Sequence, residues 1–370
     1  MAQKRNILIL FGGMSGEHEV SLLSAASVLN HIDQAQYTVH LIGITKKGQW
    51  LYCGRSDLGP LPTELSHWQD QSRPVILPPD PTYHGYIFPE APNDVHYIDA
   101  IFPVMHGTRG EDGTLQGVLE LSGIPYVGSG VLASAMAMDK VVAKQICARH
   151  HIPQCDFDWV EKHQWQADRE GVLARLESKF SYPVFVKPAN MGSSVGINKA
   201  RTKEALIRSV EEALRYDRRV IIEEFINGRE IECAVLGNTS PLAAIPGEVV
   251  SAKEFYDYDA KYDDSLGSSI HIPAQIPPEK QEEIRALALK TYEALGCRGL
   301  SRVDFFLTVP DQRVLLNEVN TLPGFTNISM YPKMWLHMGL SYSQLIDRLI
   351  ALALEEEADK KALAYSVKPC

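Results

Sequence analysis

Two short segments near the C-terminus carry acidic, amide and guanidinium side chains at a spacing that suits one face of a strand. Arg302 and Asp304 are two residues apart, as are Glu318 and Asn320, and alternate residues of a strand point to the same face. If the two strands pair, three oxygen ligands and a guanidinium converge. Oxygen ligands without His or Cys favour Mg²⁺ or Mn²⁺ over zinc. The alternative is a surface ladder of arginine and carboxylates that holds no metal.

A glycine- and serine-rich segment follows a short apolar strand pattern at FVKPANMGSSVGINK, residues 185–199. The strand ends near Lys187, and the loop after it contains Ser193 and Ser194 between two glycines. Backbone amides in such loops bind anions, and a lysine adds a point charge. Because the lysine precedes the glycines, the pattern differs from the P-loop. The segment predicts an anion-binding loop, and the alternative is a flexible hairpin.

The segment EVNTLPGFTNIS, residues 318–329, mixes apolar and polar residues and fits neither a strand nor a helix. Gly324 can bring its backbone N–H close to a ligand, because it has no side chain in the way. Such a donor can stabilise a developing oxyanion. The alternative is an ordinary Pro-Gly turn, which this segment alone does not exclude.

Two glycine-containing loops follow strand patterns in the N-terminal third. FGGMSGEHEVS, residues 11–21, places Glu17 and Glu19 near the start of a helix, where acidic residues also suit the helix dipole. MHGTRGEDGTLQG, residues 105–117, contains His106, which by itself is better explained as a structural histidine. Ligands of α/β sheets bind beyond such strand ends. GxGxxG is absent, which argues against a dinucleotide-dependent dehydrogenase.

The elements that would position these residues follow from hydrophobic periodicity. Strand and helix patterns alternate before a boundary near residue 137, which predicts a parallel α/β sheet. Residues 54–97 are predicted to be an irregular surface excursion, and the polar residues 249–272 a mobile loop. The predicted strands are 6–11, 39–44, 98–104, 183–187, 220–224, 230–236, 302–307 and 314–319. The predicted helices are 22–32, 139–151, 204–214, 279–296 and 342–355.

Composition and charge exclude several classes of protein. The 370 residues are 45% hydrophobic and 22% charged, as in globular proteins of two or three domains. A net charge of −10 without a dense Lys/Arg run argues against a nucleic-acid partner. Six scattered cysteines without CxxC suit reduced thiols. Apolar runs are too short for a membrane span or a signal peptide, so we expect a cytoplasmic protein without a membrane partner.

Seven motifs occur in one order along the chain: GGMSGEHEVS, HGTRGEDGTLQG, YVGSGVLASAMAMDK, VKPANMGSSVG, YDYDAKY, RVDFF and NEVNTLPGFTNISMYP. Together they resemble the D-alanine–D-alanine ligases of the ATP-grasp superfamily, and most closely the longer, A-type bacterial form. The resemblance implies an N-terminal parallel α/β domain, residues 1–137, followed by the two-domain ATP-grasp fold, residues 138–217 and 218–360. It also implies ATP and D-alanine as substrates, two Mg²⁺ or Mn²⁺ ions, and a homodimer.

The resemblance further implies a nucleotide site. Lys140, Lys187 and Lys261 would contact phosphates, residues 223–226 would meet adenine, and Glu230 would meet the ribose. Family members often have Trp in place of Phe225. The matched ATP-contacting positions are Lys140, Lys187, Ser194, Glu223, Glu224, Phe225, Ile226, Glu230 and Lys261. The matched magnesium ligands are Asp304, Glu318 and Asn320.

The implied reaction makes a peptide bond for peptidoglycan precursors. ATP phosphorylates the carboxylate of the first D-alanine, and the amine of the second attacks the acyl phosphate. Glu17 matches the carboxylate that binds the first ammonium, and His106 matches a group of the same subsite. Arg302 and the Gly324 amide match the groups that stabilise the oxyanion.

The second subsite and the closing loop are implied in the same way. Ser329 and the Met330 amide match the site for the second carboxylate. Ser193 and Tyr262 match residues that hydrogen-bond with Glu17 and close the loop over the intermediate. Closure would exclude water, which would otherwise hydrolyse the acyl phosphate.

Two alternatives remain beside this function. Relatives that join D-alanine to D-lactate depart from Lys-Tyr in the closing loop, whereas this chain has Lys261-Tyr262, which favours the peptide. A nucleotide-binding regulator without turnover would be expected to lack a metal ligand, Lys187 or Arg302, and all are present.

Overall fold

The computed structural model describes residues 4–59, 65, 67–69, 72–192, 195–250 and 269–364. The strands, in chain order, are β1 Arg5–Gly12, β2 Tyr37–Ile44, β3 Trp50–Arg55, β4 Arg73–Pro74, β5 Gly85–Phe88, β6 Ala91–Tyr97, β7 Ala100–Val104, β8 Phe157–Glu161, β9 Val184–Pro188, β10 Asn198–Ala200, β11 Arg219–Glu224, β12 Gly228–Leu236, β13 Leu242–Ala243, β14 Gly247–Val250, β15 Ser269–His271, β16 Leu300–Thr308 and β17 Val314–Asn320. The helices are α1 His18–His31, α2 Thr114–Ser122, α3 Val131–Met138, α4 Lys140–Arg149, α5 Lys162–Ala167, α6 Arg169–Lys179, α7 Lys203–Ala213, α8 Pro278–Ala294, α9 Met330–His337 and α10 Tyr342–Lys361.

The first sheet has the strand order β4-β3-β2-β1-β7. Strand β1 runs parallel to both β2 and β7, whereas β3 and β4 are antiparallel additions at one edge. Residues 7–11 of β1 are completely buried, because the parallel part of the sheet is covered on both faces. The prediction of a parallel α/β sheet in the N-terminal part is therefore confirmed.

The prediction that residues 54–97 form an irregular surface excursion is wrong in part. Strands β5 and β6 form a separate antiparallel hairpin, and β4 pairs with β3 at the edge of the first sheet. Tyr86 and Phe88 are buried in one cluster with Val75 and Leu77. These apolar residues are separated by Pro, Asp and Gly, so the average composition of the segment hides the few positions that pack.

The second sheet is antiparallel throughout, in the order β10-β9-β11-β8. Helices α6 and α7 pack against it through Leu173, Leu176, Leu206 and Val210. Strand β11 pairs with β8 and β9 and therefore belongs to this sheet. The predicted domain boundary at residue 217 would instead assign β11 to the third domain. The limits of the three domains stay a prediction.

The third sheet has the order β15-β14-β12-β16-β17, with β13 beside β12. Helix α8 packs against one face of it, and α9 and α10 belong to the cluster on the other face. The amphipathic helix expected at 279–296 is confirmed by α8, and Gly296 follows its C-cap with a left-handed φ of +67°.

Residues 249–272 can be compared with their prediction only at the two ends. Strand β14 ends at Val250 and β15 begins at Ser269, and the two pair with each other. The predicted mobile loop between them, residues 251–268, lies outside the described residues. Within the ranges that the structure describes, no helix is both long and apolar enough to cross a membrane.

Candidate active site

Two adjoining pockets lie where segments that follow strands β1 and β7 meet the second and third sheets, and they share Ile197, Arg302 and Glu318. The predicted site residues that line the first pocket are Glu17, His106, Lys140, Arg302, Glu318, Asn320 and Gly324. Those that line the second pocket are Lys187, Glu223, Glu224, Phe225, Ile226, Glu230, Arg302, Asp304 and Glu318. Four other predicted positions, Ser193, Ser194, Lys261 and Tyr262, lie outside the described residues.

The shared wall is built by β16 and β17. Their antiparallel register sets Arg302 opposite Asn320 and Asp304 opposite Glu318, as the sequence spacing predicts. The Arg302 guanidinium makes a two-point contact with Asp304, with Nε–Oδ1 and Nη2–Oδ2 distances of 2.7 Å each. Asn320 Nδ2 donates to Asp304 Oδ2 at 3.0 Å. Asp304 is 8% exposed, so this cluster is not the surface ladder of the alternative interpretation.

A further carboxylate, absent from the sequence-based set, joins this cluster. Glu232 lies opposite Asp304 on β12, and its Oε2 is 3.0 Å from the Arg302 Nε. Burial alone lowers the pKa of Arg302, but Asp304 and Glu232 reverse this and raise that pKa well above its usual range. The guanidinium therefore stays positively charged in the wall between the two pockets.

The residues of the shared wall fit a magnesium-type cation. Asp304, Glu318 and Asn320 offer hard oxygen donors at adjacent register positions. Within the described part of the chain, no group of three or more His, Cys, Asp and Glu is arranged to hold a metal, so the fit depends on two carboxylates and the Asn320 amide.

The second pocket contains a carboxylate held between two lysines. Glu223 Oε1 is 3.0 Å from Lys144 Nζ, and Glu223 Oε2 is 2.6 Å from Lys187 Nζ. Burial alone raises the pKa of Glu223, but the two lysines reverse this and lower it to about 2. Lys144 is 2% exposed and was not singled out by the sequence. The one sequence feature that could have indicated Lys144 is its position on α4, one helical turn after Lys140.

The end of this pocket is formed by the turn between β11 and β12. Glu224 Oε1 accepts a hydrogen bond from the Asp156 N–H at 2.9 Å, which ties the turn to the start of β8. The Phe225 ring lies 6.1 Å from the Phe185 ring, measured between centroids, and Lys199 Nζ lies 3.6 Å from the Phe225 centroid. An aromatic and cationic surface thus borders the cavity at this end.

In the first pocket, two glycines make room for the carboxylate of Glu17. A Cβ atom at residue 107 would lie 2.3 Å from Glu17 Oε2, and one at residue 192 would lie 2.7 Å from the same atom. Gly107 also has a φ of +71°, which L-residues with side chains rarely adopt. Nearby, Lys140 Nζ donates to the Met191 carbonyl at 2.8 Å and lies 4.0 Å from Glu318 Oε2.

His106 connects the first pocket to the segment after β17. Its Nδ1–H donates to the Leu322 carbonyl at 2.9 Å, and its Nε2 lies 3.0 Å from Ser24 Oγ. Burial lowers the pKa of His106, which favours the neutral ring. Both ring nitrogens therefore have partners within the protein. His106 lines the first pocket and also holds the segment after β17.

Glu111 also connects these segments and was missed by the sequence analysis. Its carboxylate accepts hydrogen bonds from the Gly107 N–H at 2.7 Å and from the Leu322 N–H at 3.0 Å. Burial, with Glu17 as a neighbouring charge, raises the pKa of Glu111 to about 8. Glu111 lies inside the quoted motif HGTRGEDGTLQG, but its distant partner Leu322 cannot be deduced from that motif.

Gly324 and Ser329 lie together at the start of α9. Ser329 precedes the helix, and its Oγ accepts a hydrogen bond from the Thr326 N–H at 3.0 Å. A Cβ atom at residue 324 would lie 3.0 Å from Ser329 Oγ. The backbone after Pro323 therefore packs closely against Ser329, which the family resemblance matches to the site for the second carboxylate.

Two family models match the chain and together cover most of it. The model described as "D-ala D-ala ligase N-terminus" matches residues 6–129, and the one described as "D-ala D-ala ligase C-terminus" matches residues 146–351. The chain therefore belongs to the D-alanine–D-alanine ligase family. Its fold is the ATP-grasp fold of that family, preceded by a parallel α/β domain.

Curated relatives match over nearly the whole chain. A D-alanine–D-alanine ligase of Thermoanaerobacter sp. (strain X514) is 49% identical over 97% of this chain and 99% of the relative. The enzyme of that name from Caldicellulosiruptor bescii is 49% identical over 98% of this chain and 99% of its own length.

Solved structures agree on the fold. The VanG D-Ala:D-Ser ligase from Enterococcus faecalis has a TM-score of 0.84 at 38% identity, over 95% of this chain and all of that one. The D-alanine–D-alanine ligase from Coxiella burnetii has a TM-score of 0.83 at 35% identity, over 97% of each chain.

Proposed function

We infer that this chain is an ATP-dependent ligase that joins two D-alanines to D-alanyl-D-alanine, through an acyl phosphate, for peptidoglycan precursor synthesis. The observation that carries this inference is the pair of adjoining pockets with Arg302 and Glu318 in their common wall. A carboxylate bound in the first pocket would meet the phosphoryl group of a nucleotide in the second at this common wall. Full-length similarity to D-alanine–D-alanine ligases supports the choice of substrate.

The second pocket is proposed to bind ATP. Lys187 in this pocket and Lys140 in the adjoining first pocket would contact phosphates, residues 223–226 would meet adenine, and Glu230 would meet the ribose. Two lysines and the adjacent glycine loop favour an anion at that position. Lys261 as a further phosphate contact and Ser194 as a further ATP contact are proposed on the family resemblance alone.

Asp304, Glu318 and Asn320 are proposed to hold two Mg²⁺ or Mn²⁺ ions. When bound there, such ions would offset the negative charge that develops during phosphoryl transfer. The hard oxygen donors at neighbouring positions of β16 and β17 support this assignment.

The first pocket is proposed to bind the amino acids. Glu17 would pair with the ammonium of the first D-alanine, beside His106, because its carboxylate lies between two glycine backbones in the pocket. Arg302 and the Gly324 N–H would stabilise the oxyanion of the tetrahedral intermediate. Ser329, with the amide that follows it, would bind the carboxylate of the second D-alanine.

The closing loop completes this proposal. Ser193 and Tyr262 would hydrogen-bond with Glu17 and hold the loop over the intermediate, as the family resemblance implies. We also propose a homodimer in the cytoplasm, where ATP and reduced thiols are available.

The test is phosphate release from ATP, combined with the mass of the product. D-alanine should support phosphate release and yield the dipeptide, whereas L-alanine should not. Mixtures of D-alanine with D-lactate or D-serine report the choice of second substrate, and we expect mainly D-alanyl-D-alanine near neutral pH. A main product containing D-lactate or D-serine would replace the proposed substrate, and no phosphate release with any D-amino acid would overturn the proposed reaction.

A further inference from the structure

We propose that Glu111 is a positioning residue that holds the segment Leu322–Phe325, and with it the Gly324 N–H, in place for ligation. This inference rests on the proposed function, since it concerns the oxyanion donor of that reaction. It starts from the two hydrogen bonds of the Glu111 carboxylate, which accepts from the Gly107 N–H at 2.7 Å and from the Leu322 N–H at 3.0 Å. One carboxylate thus joins two segments that are far apart in the sequence.

Leu322 is held on both sides of its backbone by the same loop of the N-terminal part. Glu111 binds its N–H, and the Nδ1–H of His106 donates to its carbonyl at 2.9 Å. The next contact continues the link, because Ser24 Oγ accepts from the Phe325 N–H at 3.2 Å and lies 3.0 Å from His106 Nε2. Leu322 is 5% exposed, so these backbone bonds are formed away from water.

These contacts leave one backbone donor of the segment for a ligand. The Leu322 and Phe325 N–H groups donate to Glu111 and Ser24, and Pro323 has no N–H. Within the ranges that the structure describes, the Gly324 N–H has no acceptor, and Gly324 lines the first pocket. An oxyanion donor must be held at a fixed place before the reaction, because a displacement of about 1 Å can cost about 100-fold in rate.

The neighbouring residue Asp112 provides a matched control. Its carboxylate also accepts two backbone N–H groups, from Arg109 at 2.8 Å and from Thr114 at 3.0 Å. Both partners belong to the same loop as Asp112. Replacing Asp112 therefore removes local loop contacts, whereas replacing Glu111 also removes the contact with Leu322.

The first measurement is amide hydrogen exchange of the full chain without ligands. In Glu111→Ala, the peptide covering 318–326 should exchange at least about 10-fold faster, because the Leu322 N–H loses its acceptor. In Asp112→Ala, exchange should rise in the peptide covering 109–114 and stay unchanged in 318–326. Glu111→Gln retains one acceptor oxygen and should lie between wild type and Glu111→Ala.

The second measurement is steady-state kinetics on the same variants. Glu111→Ala should lower kcat by about 10- to 100-fold, while the KM for ATP stays within about threefold, because the contact serves the oxyanion donor and not the nucleotide pocket. Asp112→Ala should keep kcat within about threefold of wild type, because this change removes contacts within the loop and leaves the contacts of Leu322 in place.

The outcomes separate the alternatives. Faster exchange at 318–326 together with the selective loss of kcat supports the proposal. It is overturned by unchanged exchange, by unchanged kcat despite faster exchange, or by equal effects of Asp112→Ala on both measurements. If Glu111→Ala does not fold, Glu111→Gln is judged by the same criteria. If the wild type makes no D-alanyl-D-alanine, the proposed function fails. The kcat values of the variants are then measured with whichever amino acid supports phosphate release.

Discussion

The ammonium of Lys187 lies 2.6 Å from the carboxylate of Glu223, so a lysine proposed to contact phosphate is held by a residue proposed to meet adenine. A nucleotide phosphate would compete with Glu223 for this lysine. Lys144, 3.0 Å from the other oxygen of Glu223, then remains as its counter-ion. The pocket therefore keeps Glu223 paired whether Lys187 stays or moves.

Replacing Lys144 with Met should weaken both the fold and nucleotide binding. The free energy of unfolding should fall by about 3 kcal/mol, the lower end for breaking a buried pair, because Lys187 remains. ADP affinity should fall about 10-fold, since Lys187 becomes the only partner of Glu223. Urea denaturation and calorimetry check this, with Lys203→Met, at an exposed pair, as the control. Equal behaviour of the two variants would contradict this role of Lys144.

Glu318→Gln should abolish turnover and weaken the binding of magnesium-bound ADP. The amide keeps the shape of the side chain but loses the charge that a divalent cation prefers. Calorimetry with ADP, with and without Mg²⁺, separates the metal effect from nucleotide binding. Glu355→Gln, on the exposed side of α10, should resemble wild type. Normal activity of Glu318→Gln at ordinary magnesium would remove Glu318 from the metal site.

Gly107→Ala should damage the proposed ammonium subsite at Glu17 and spare the proposed nucleotide pocket. The new Cβ would lie 2.3 Å from Glu17 Oε2 at a backbone φ of +71°, so the carboxylate must move. We expect kcat/KM for D-alanine to fall about 10- to 100-fold, the loss of a charged hydrogen bond, with unchanged ADP affinity. Gly117→Ala is the control, because no atom lies within 4 Å of its Cβ and Ala favours the helix. An unchanged kcat/KM in Gly107→Ala would argue against Glu17 as the ammonium ligand.

The raised pKa of Glu111 predicts how stability depends on pH. The fold raises this pKa from 4.5 to about 8, so it favours the protonated carboxyl. This contribution is complete below about pH 4.5 and is lost as the pH rises through 8. Glu111→Gln cannot ionise, so the stability of wild type relative to this variant should fall by at most about 1.4 kcal/mol per pH unit across that window. Urea midpoints at several pH values test this, and parallel profiles would refute it.

The sequence predicts the elements with strong periodicity and the contacts that one strand pair defines. The register of β16 and β17 follows from the spacing of Arg302, Asp304, Glu318 and Asn320, and the structure confirms it. Helix α8 is similarly clear, because its apolar face repeats over about three turns, from Ile284 to Leu295.

Other parts depend on contacts that a single sequence does not reveal. Glu232 joins Arg302 only because β12 lies beside β16. Glu111 depends on a partner 211 residues away. Helices α2, α3, α5, α6 and α9 were not predicted, because they are short and none shows a helical period over several turns. Long-range pairing, more than local propensity, decides these features.

The link between Ser24, Glu111 and Leu322–Phe325 also bears on the order in which the chain is made. The strands of the first sheet are complete by Val104, although Leu345 and Leu349 of α10 share a buried cluster with Ile7 and Ile9 of this sheet. The first pocket, however, needs a segment translated more than two hundred residues later. A nascent chain that stops before Leu322 would lack this part of the core as well as the assembled ligation site, so activity would begin only after both are made.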